Sequence, residues 1–205
     1  MSALDPKHLL ETFSYAGLFL IIFAETGLLI GFFLPGDSLL FTAGLLAAPG
    51  VHDPVHLNLA VVLPGVIVAA ILGAQTGYLI GRTAGPALFR KPDSRIFKRE
   101  YVTKAEEFFD KGGTRSVVLA RFVPIVRTFL NPLAGVAKMS AQAFTTANVI
   151  GGLLWGGGVT IAGYALGKSI KNVDRYLLPI IGVIVLVSLI PVALEIRKSR
   201  AADKA

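Results

Sequence analysis

The apolar runs of this chain are of two kinds. Residues 57–81, 144–167 and 177–194 each come near the roughly 20 residues that a helix needs to cross a bilayer, and each reads as a single span. Residues 13–48 and 116–138 are comparably apolar but hold charges and helix breakers inside them. The first of these covers 36 residues, more than one span needs and too few for two spans with a turn. It is therefore expected to form a broken or re-entrant hairpin with Pro35-Gly36-Asp37-Ser38 at its tip. Its opening helix starts at Asp5-Pro6, a cap followed by a first-turn proline, and is expected to run on until Pro35 and Gly36. The second run, 116–138, is interrupted by Pro124 and Pro132. Non-helical backbone at bilayer depth is tolerated only where protein or a water-filled cavity satisfies it, so the hairpin tip should face inward.

Small residues mark where helices meet. Gly65, Ala69, Gly73, Gly77, Gly81 and Gly85 recur every four residues and form a packing seam on one helix, which Pro64 is placed to kink. Gly152, Gly156, Gly163 and Gly167 serve the span 144–167 in the same way. The loop 48–58 ends in Asp53-Pro54, another helix start. In the segment 82–115, Ile96, Phe97, Tyr101, Val102, Ala105, Phe108 and Phe109 recur at helical spacing opposite Arg95, Lys98, Arg99, Lys104 and Lys111. This predicts an in-plane interfacial helix ended by Gly112-Gly113, or else a solvated helix packed on the protein. Each half thus offers a broken apolar unit and then a glycine-striped span, the outline of an inverted repeat, with Pro35 to Ala43-Gly44 loosely echoing Pro124 to Ala134-Gly135. The expected fold is an all-α polytopic membrane protein, one membrane domain over 1–205. It comprises two facing re-entrant units (13–48 and 116–138), transmembrane helices at 57–81, 144–167 and 177–194, an amphipathic helix within the basic loop 82–115, and a basic tail at 195–205.

Composition agrees: 54% of the 205 residues are hydrophobic and 16% charged, and the mean hydropathy is +0.68. In a soluble chain the net charge of +7 would invite a nucleic-acid reading. Here the basic residues crowd between and after the apolar runs, nine against five acids in 82–115, which is topogenic and places that loop in the cytoplasm. Arg197, Lys198, Arg200 and Lys204 favour a cytoplasmic C-terminus, against the pull of Lys168, Lys171 and Arg175. The absence of cysteine excludes disulfides and thiol catalysis. His52 and His56 stand four apart, but Pro54 intervenes and no carboxylate completes a metal site. The start before Phe13 has little positive charge, so a cleaved signal peptide is not expected. No nucleophile elbow, phosphate loop or paired histidines with a base occur, so neither enzyme activity nor a cofactor is expected.

What remains are charges in apolar surroundings. A guanidinium in hydrocarbon costs roughly 2.5–3.5 kcal/mol, so Arg121 and Arg127 need partners. Glu25 and Asp37 are the only carboxylates in 13–48, and pairing the two regions is the cheapest remedy. An arginine fork suits phosphate, and a desolvated carboxylate beside arginine suits proton exchange. Arg121, Arg127, Ser38, Thr128 and Asn131 are thus candidate substrate-binding residues, with Glu25 and Asp37 as proton-coupling groups. Asn131 and Asn148 could instead satisfy freed backbone, and Trp155 reads as a packing residue. The bland reading is an ion-pair network that fastens two hairpins.

ETGLLIGFFLPGDSLLFTAG, then ARFVPIVRTFLNPLAGVAKM, then Phe144, Asn148, Gly151 and Trp155, and finally GYALG, resemble the DedA family of bacterial membrane proteins over residues 25–167. The resemblance implies two re-entrant hairpins facing each other amid transmembrane helices, with Glu25, Asp37, Arg121 and Arg127 as the functional positions. It also implies a cytoplasmic-membrane lipid translocase, with undecaprenyl phosphate or an anionic phospholipid and protons as partners. A proton-coupled antiporter of small ions or solutes and a non-transporting scaffold are the rivals. Self-association is left open.

Overall fold

The computed structural model describes residues 6–28, 36–49, 57–88, 99–122 and 124–169, and side chains within these except at 6–14, 86–88, 99–106, 110, 124–125 and 128. The last expected span, the basic tail, Pro35 of the hairpin tip and the start of the amphipathic helix lie outside the described residues. Among the described residues seven α-helices follow in order: α1 (Pro6–Gly27), α2 (Gly36–Leu46), α3 (Leu59–Leu88), α4 (Arg99–Ala120), α5 (Pro124–Val136), α6 (Ala141–Gly152) and α7 (Gly158–Ser169). A π-helical turn, Leu153–Gly157, joins α6 to α7. No strand occurs among the described residues.

Among the described residues two helices are long and apolar enough to cross a membrane: α3 over Leu59–Gly85, and the continuous run Ala141–Ser169. Both are inside out by the standard of a soluble protein. α3 buries Gly73, Gly77, Gly81 and Gly85 while exposing Val61, Val68, Leu72 and Leu79. The second buries Gly151, Gly152, Gly156, Gly163 and Gly167 and exposes Val149, Ile150, Leu153, Leu154 and Ile161. Water penalises large apolar side chains on the outside and hydrocarbon does not, whereas small residues let backbones pack closely in either solvent.

The chain divides into two compact units, residues 1–18, 35–63 and 159–205, and residues 19–34 and 64–158. In the first, α2 is buried on nearly every side, from Ser38 through Leu46 except at Phe41. It packs backbone to backbone on α7: a Cβ on Gly44 would lie 2.0 Å from the Thr160 carbonyl oxygen, and one on Gly163 would lie 2.1 Å from that of Phe41. In the second unit, Ala74, Tyr78, Phe109, Val117, Leu130, Ala134, Phe144 and Ala147 form a core where α3, α4, α5 and α6 converge. Tyr78 stacks on Phe144 with ring centroids 4.4 Å apart and donates to the Met139 carbonyl at 2.6 Å. Here α5 packs on α3 by the same reciprocal device, Gly135 seated 2.1 Å from the Tyr78 carbonyl oxygen and Gly81 seated 2.0 Å from that of Pro132, measured from an added Cβ.

Two of three expected boundaries moved. α1 ends at Gly27, short of the expected break at Pro35 and Gly36, and residues 29–35 lie outside the described ones. The Asn131 side-chain amide donates to the Thr26 carbonyl at 2.8 Å, meeting a carbonyl in the last turn of α1 from elsewhere in the unit. Pro132 sits inside α5 without ending it, losing one helical bond while neighbouring packing holds the rest. Gly113 does close the amphipathic helix: its φ of 53° and ψ of −141° are non-helical and separate two helical stretches that together make up α4, the second running to Ala120.

Candidate functional site

The polar centre of the second unit is assembled from four chain segments. Pro124 begins α5, so the chain turns at Arg121 and Phe122 between α4 and α5. Arg121 stands at this turn and Arg127 within the first two turns of α5. Glu25 comes from the last turn of α1, and Asn148 and Trp155 stand seven residues apart on the helix that starts at Ser140, whose hydroxyl caps Ala143 N–H.

Arg127 forms an ion pair with Glu25 through Nη2 and Oε1. The pair is shut away from solvent, with the side chains 12% and 2% exposed. Arg121 is only 6% exposed, and its acceptors among the described residues are neutral. Nη1 donates to the Asn148 carbonyl at 2.9 Å and to Asn148 Oδ1 at 2.8 Å, and Nη2 donates to the Ala70 carbonyl at 3.0 Å. Asn148 is itself fixed, its amide donating to the Ile71 carbonyl at 2.9 Å. Gly151 leaves room for the guanidinium, since a Cβ there would lie 3.3 Å from Nη1. The Trp155 ring, 3% exposed, receives both cations: the Arg127 guanidinium carbon lies 4.6 Å from the ring centroid and that of Arg121 6.0 Å.

Of the candidates named from sequence, Glu25, Arg121, Arg127 and Asn131 therefore meet in one unit, with Asn131 bonded to freed backbone. The expectation that each arginine pairs with an acid is corrected for Arg121. Desolvating a guanidinium requires donors to be matched, not a counter-charge, and two carbonyls and an amide oxygen match them. Asp37, in the first turn of α2, and Ser38, fully buried, belong to the other unit. The Thr128 side chain is outside the described ones. Sequence reasoning missed Asn148 as the ligand of Arg121 and Trp155 as a platform for cations. Their shared helix face and the glycines around Trp155 were the available signal. No group of three or more potential metal ligands occurs among the described residues.

Residues 34–165 match the VTT domain family. The chain is 48% identical to the protein DedA of Escherichia coli (strain K12) over 93% of its own length and 86% of the relative's. The chain belongs to the VTT-domain (DedA) family. Other family relatives are an uncharacterized membrane protein of Mycobacterium leprae, 52% identical over 83% of this chain and 74% of the relative, and one of Mycobacterium tuberculosis H37Rv, 51% identical over 85% and 75%. No solved structure matches the chain. DedA-family membership and these relatives make the protein a membrane protein, which accounts for helices that turn leucine outward and glycine inward. Glu25 lies upstream of the matched domain.

Proposed function

We propose that this DedA-family protein is a multi-pass lipid translocase of the bacterial cytoplasmic membrane that moves undecaprenyl phosphate or an anionic phospholipid between leaflets with proton coupling. The observation that carries this reading is the buried Glu25–Arg127 pair, set where a helix ends and another begins. An anionic headgroup competes with Glu25 for the planar guanidinium fork, and a proton taken up by Glu25 favours the exchange. Asp37 is a second acid for proton exchange in this scheme. The ion pair need not serve as a fastener, because glycine-mediated backbone packing already joins both of its helices to α3, α1 through Gly27 and Gly73 and α5 through Gly135 and Gly81.

Two short helices support re-entrant hairpins. α2 has 11 residues and α5 has 13, lengths of about 16 and 20 Å, against the roughly 30 Å of a hydrocarbon core. The matching glycine seats of Gly44 and Gly163 and of Gly135 and Gly81 support an internal repeat, since the residues three positions before each pair supply the opposing carbonyls in both units.

The test is reconstitution of the full chain into vesicles carrying a fluorescent anionic phospholipid or polyprenyl phosphate, followed between leaflets with and without a pH gradient. Wild-type protein should accelerate exchange in a gradient-dependent way, and Glu25→Gln should not. Folded wild-type protein that moves neither lipid would end this reading, and gradient-driven movement of small ions alone would favour an antiporter.

A further inference from the structure

Trp155 is the chain's single tryptophan, and the backbone around it is unusual. It lies in the π-helical turn Leu153–Gly157, between Gly151-Gly152 and Gly156-Gly157-Gly158. Wide turns of this kind shift the register of a helix locally and recur at functional sites. The indole is buried beneath the guanidinium of Arg127, which simultaneously pairs with Glu25. These two partners use different parts of the cation. A carboxylate engages N–H groups at the edge of the guanidinium plane, whereas an aromatic ring meets its face, so both contacts hold at once.

They also differ in permanence. A carboxylate loses its attraction when it takes a proton, and it yields to a competing anion. The indole face has no proton to accept, and its attraction for a cation strengthens as the site is desolvated. We propose that Trp155 is a positioning residue, holding the Arg127 guanidinium in place through the part of the cycle in which Glu25 has let go of it. The Trp155 turn thereby keeps the edge donors of Arg127 aimed at the exchanging anion and prevents the side chain from following its proton-bearing partner. This inference rests on the translocase reading for its place in the cycle, but its geometric content stands apart from it.

The experiment has two arms on the full-length protein in vesicles of zwitterionic and anionic phospholipid. The first reads the intrinsic fluorescence of Trp155 itself. Glu25→Gln should leave the emission maximum where it is in the wild type, because the guanidinium stays over the ring, while Arg127→Gln should shift it. If Glu25→Gln shifts the emission as far as Arg127→Gln does, the carboxylate alone was holding the guanidinium and the proposal is overturned. The second arm compares Trp155→Phe with Trp155→Leu in translocation of a fluorescent anionic phospholipid. The leucine should lower the maximal rate about tenfold, and the phenylalanine, which keeps a ring face, should recover most of it. Equal rates for the two would contradict the proposal. A wild-type protein that moves no lipid would sink the translocase reading, and the fluorescence arm would still decide the role of Trp155, as it would if the leucine variant failed to fold.

Discussion

Arg121 and Arg127 flank one helix break six residues apart, yet they are solvated by opposite means. Around Arg121 the acceptors are two backbone carbonyls and an asparagine oxygen. Against Arg127 stands a carboxylate. Neutral acceptors built into helices α3 and α6 cannot change charge and can move only if the helices move. A carboxylate on the last turn of α1 can be neutralised by one proton or displaced by another anion. In the proposed mechanism this difference separates a fixed cation from an exchangeable one, though the sequence presents both as arginines in apolar surroundings.

The largest effect should come from breaking the exchangeable partnership. Glu25→Gln or Arg127→Gln leaves a buried charge facing a neutral group, a cost of about 3–5 kcal/mol. Either variant should unfold at a visibly lower temperature in detergent and lower lipid translocation by at least about 100-fold. Arg127→Lys should also impair translocation, since an ammonium keeps the charge and loses the planar fork; activity equal to wild type would count against fork-like recognition of an anion.

Disturbing the cage of the fixed cation should act on stability first. Asn148→Leu removes a side-chain acceptor from Arg121 and a donor from the Ile71 carbonyl, at a cost of about 1–3 kcal/mol. Thermal unfolding should register the loss, while the translocation rate per folded molecule falls less than about tenfold. If Asn148→Leu abolishes transport in fully folded protein, the fixed and exchangeable roles are wrongly assigned.

Gly81→Ala pushes against the Pro132 carbonyl, 2.0 Å from the added carbon, and should cost about 1–3 kcal/mol by forcing α3 and α5 apart. Gly163→Ala, facing the Phe41 carbonyl at 2.1 Å, should cost a similar amount in the other unit. Thermal melts of the two variants check this directly. The smallest effect belongs to the exposed Lys111–Glu107 pair, 3.9 Å apart and 81% and 62% exposed. Lys111→Ala should change the same melt by less than about 0.5 kcal/mol, because water and salt screen such a pair.

Much of the helical plan was legible in residue spacing. The four-residue glycine period of α3 and the small residues of 144–167 marked the seams at which α5 and α2 are seated, because close backbone approach demands glycine whatever lies opposite. The Glu25–Arg127 pairing was accessible from the cost of lone charges in hydrocarbon. What sequence concealed depended on tertiary partners. The Thr26 carbonyl in the last turn of α1 is met by an amide 105 residues away, and continued helix at Pro132 depends on packing that no local propensity encodes. Arg121 drew the expectation of a carboxylate because formal charge is visible in a sequence, whereas a convergence of carbonyls is not.

The decisive measurement is a double-mutant cycle on lipid translocation by Glu25→Gln, Arg127→Gln and the combined variant, each shown to be folded in the vesicle. If the two side chains work as one exchangeable unit, the combined variant should be no slower than the slower single variant, with strong coupling between the sites. Losses that simply multiply would mean that Glu25 and Arg127 act independently, and the exchange mechanism would be wrong.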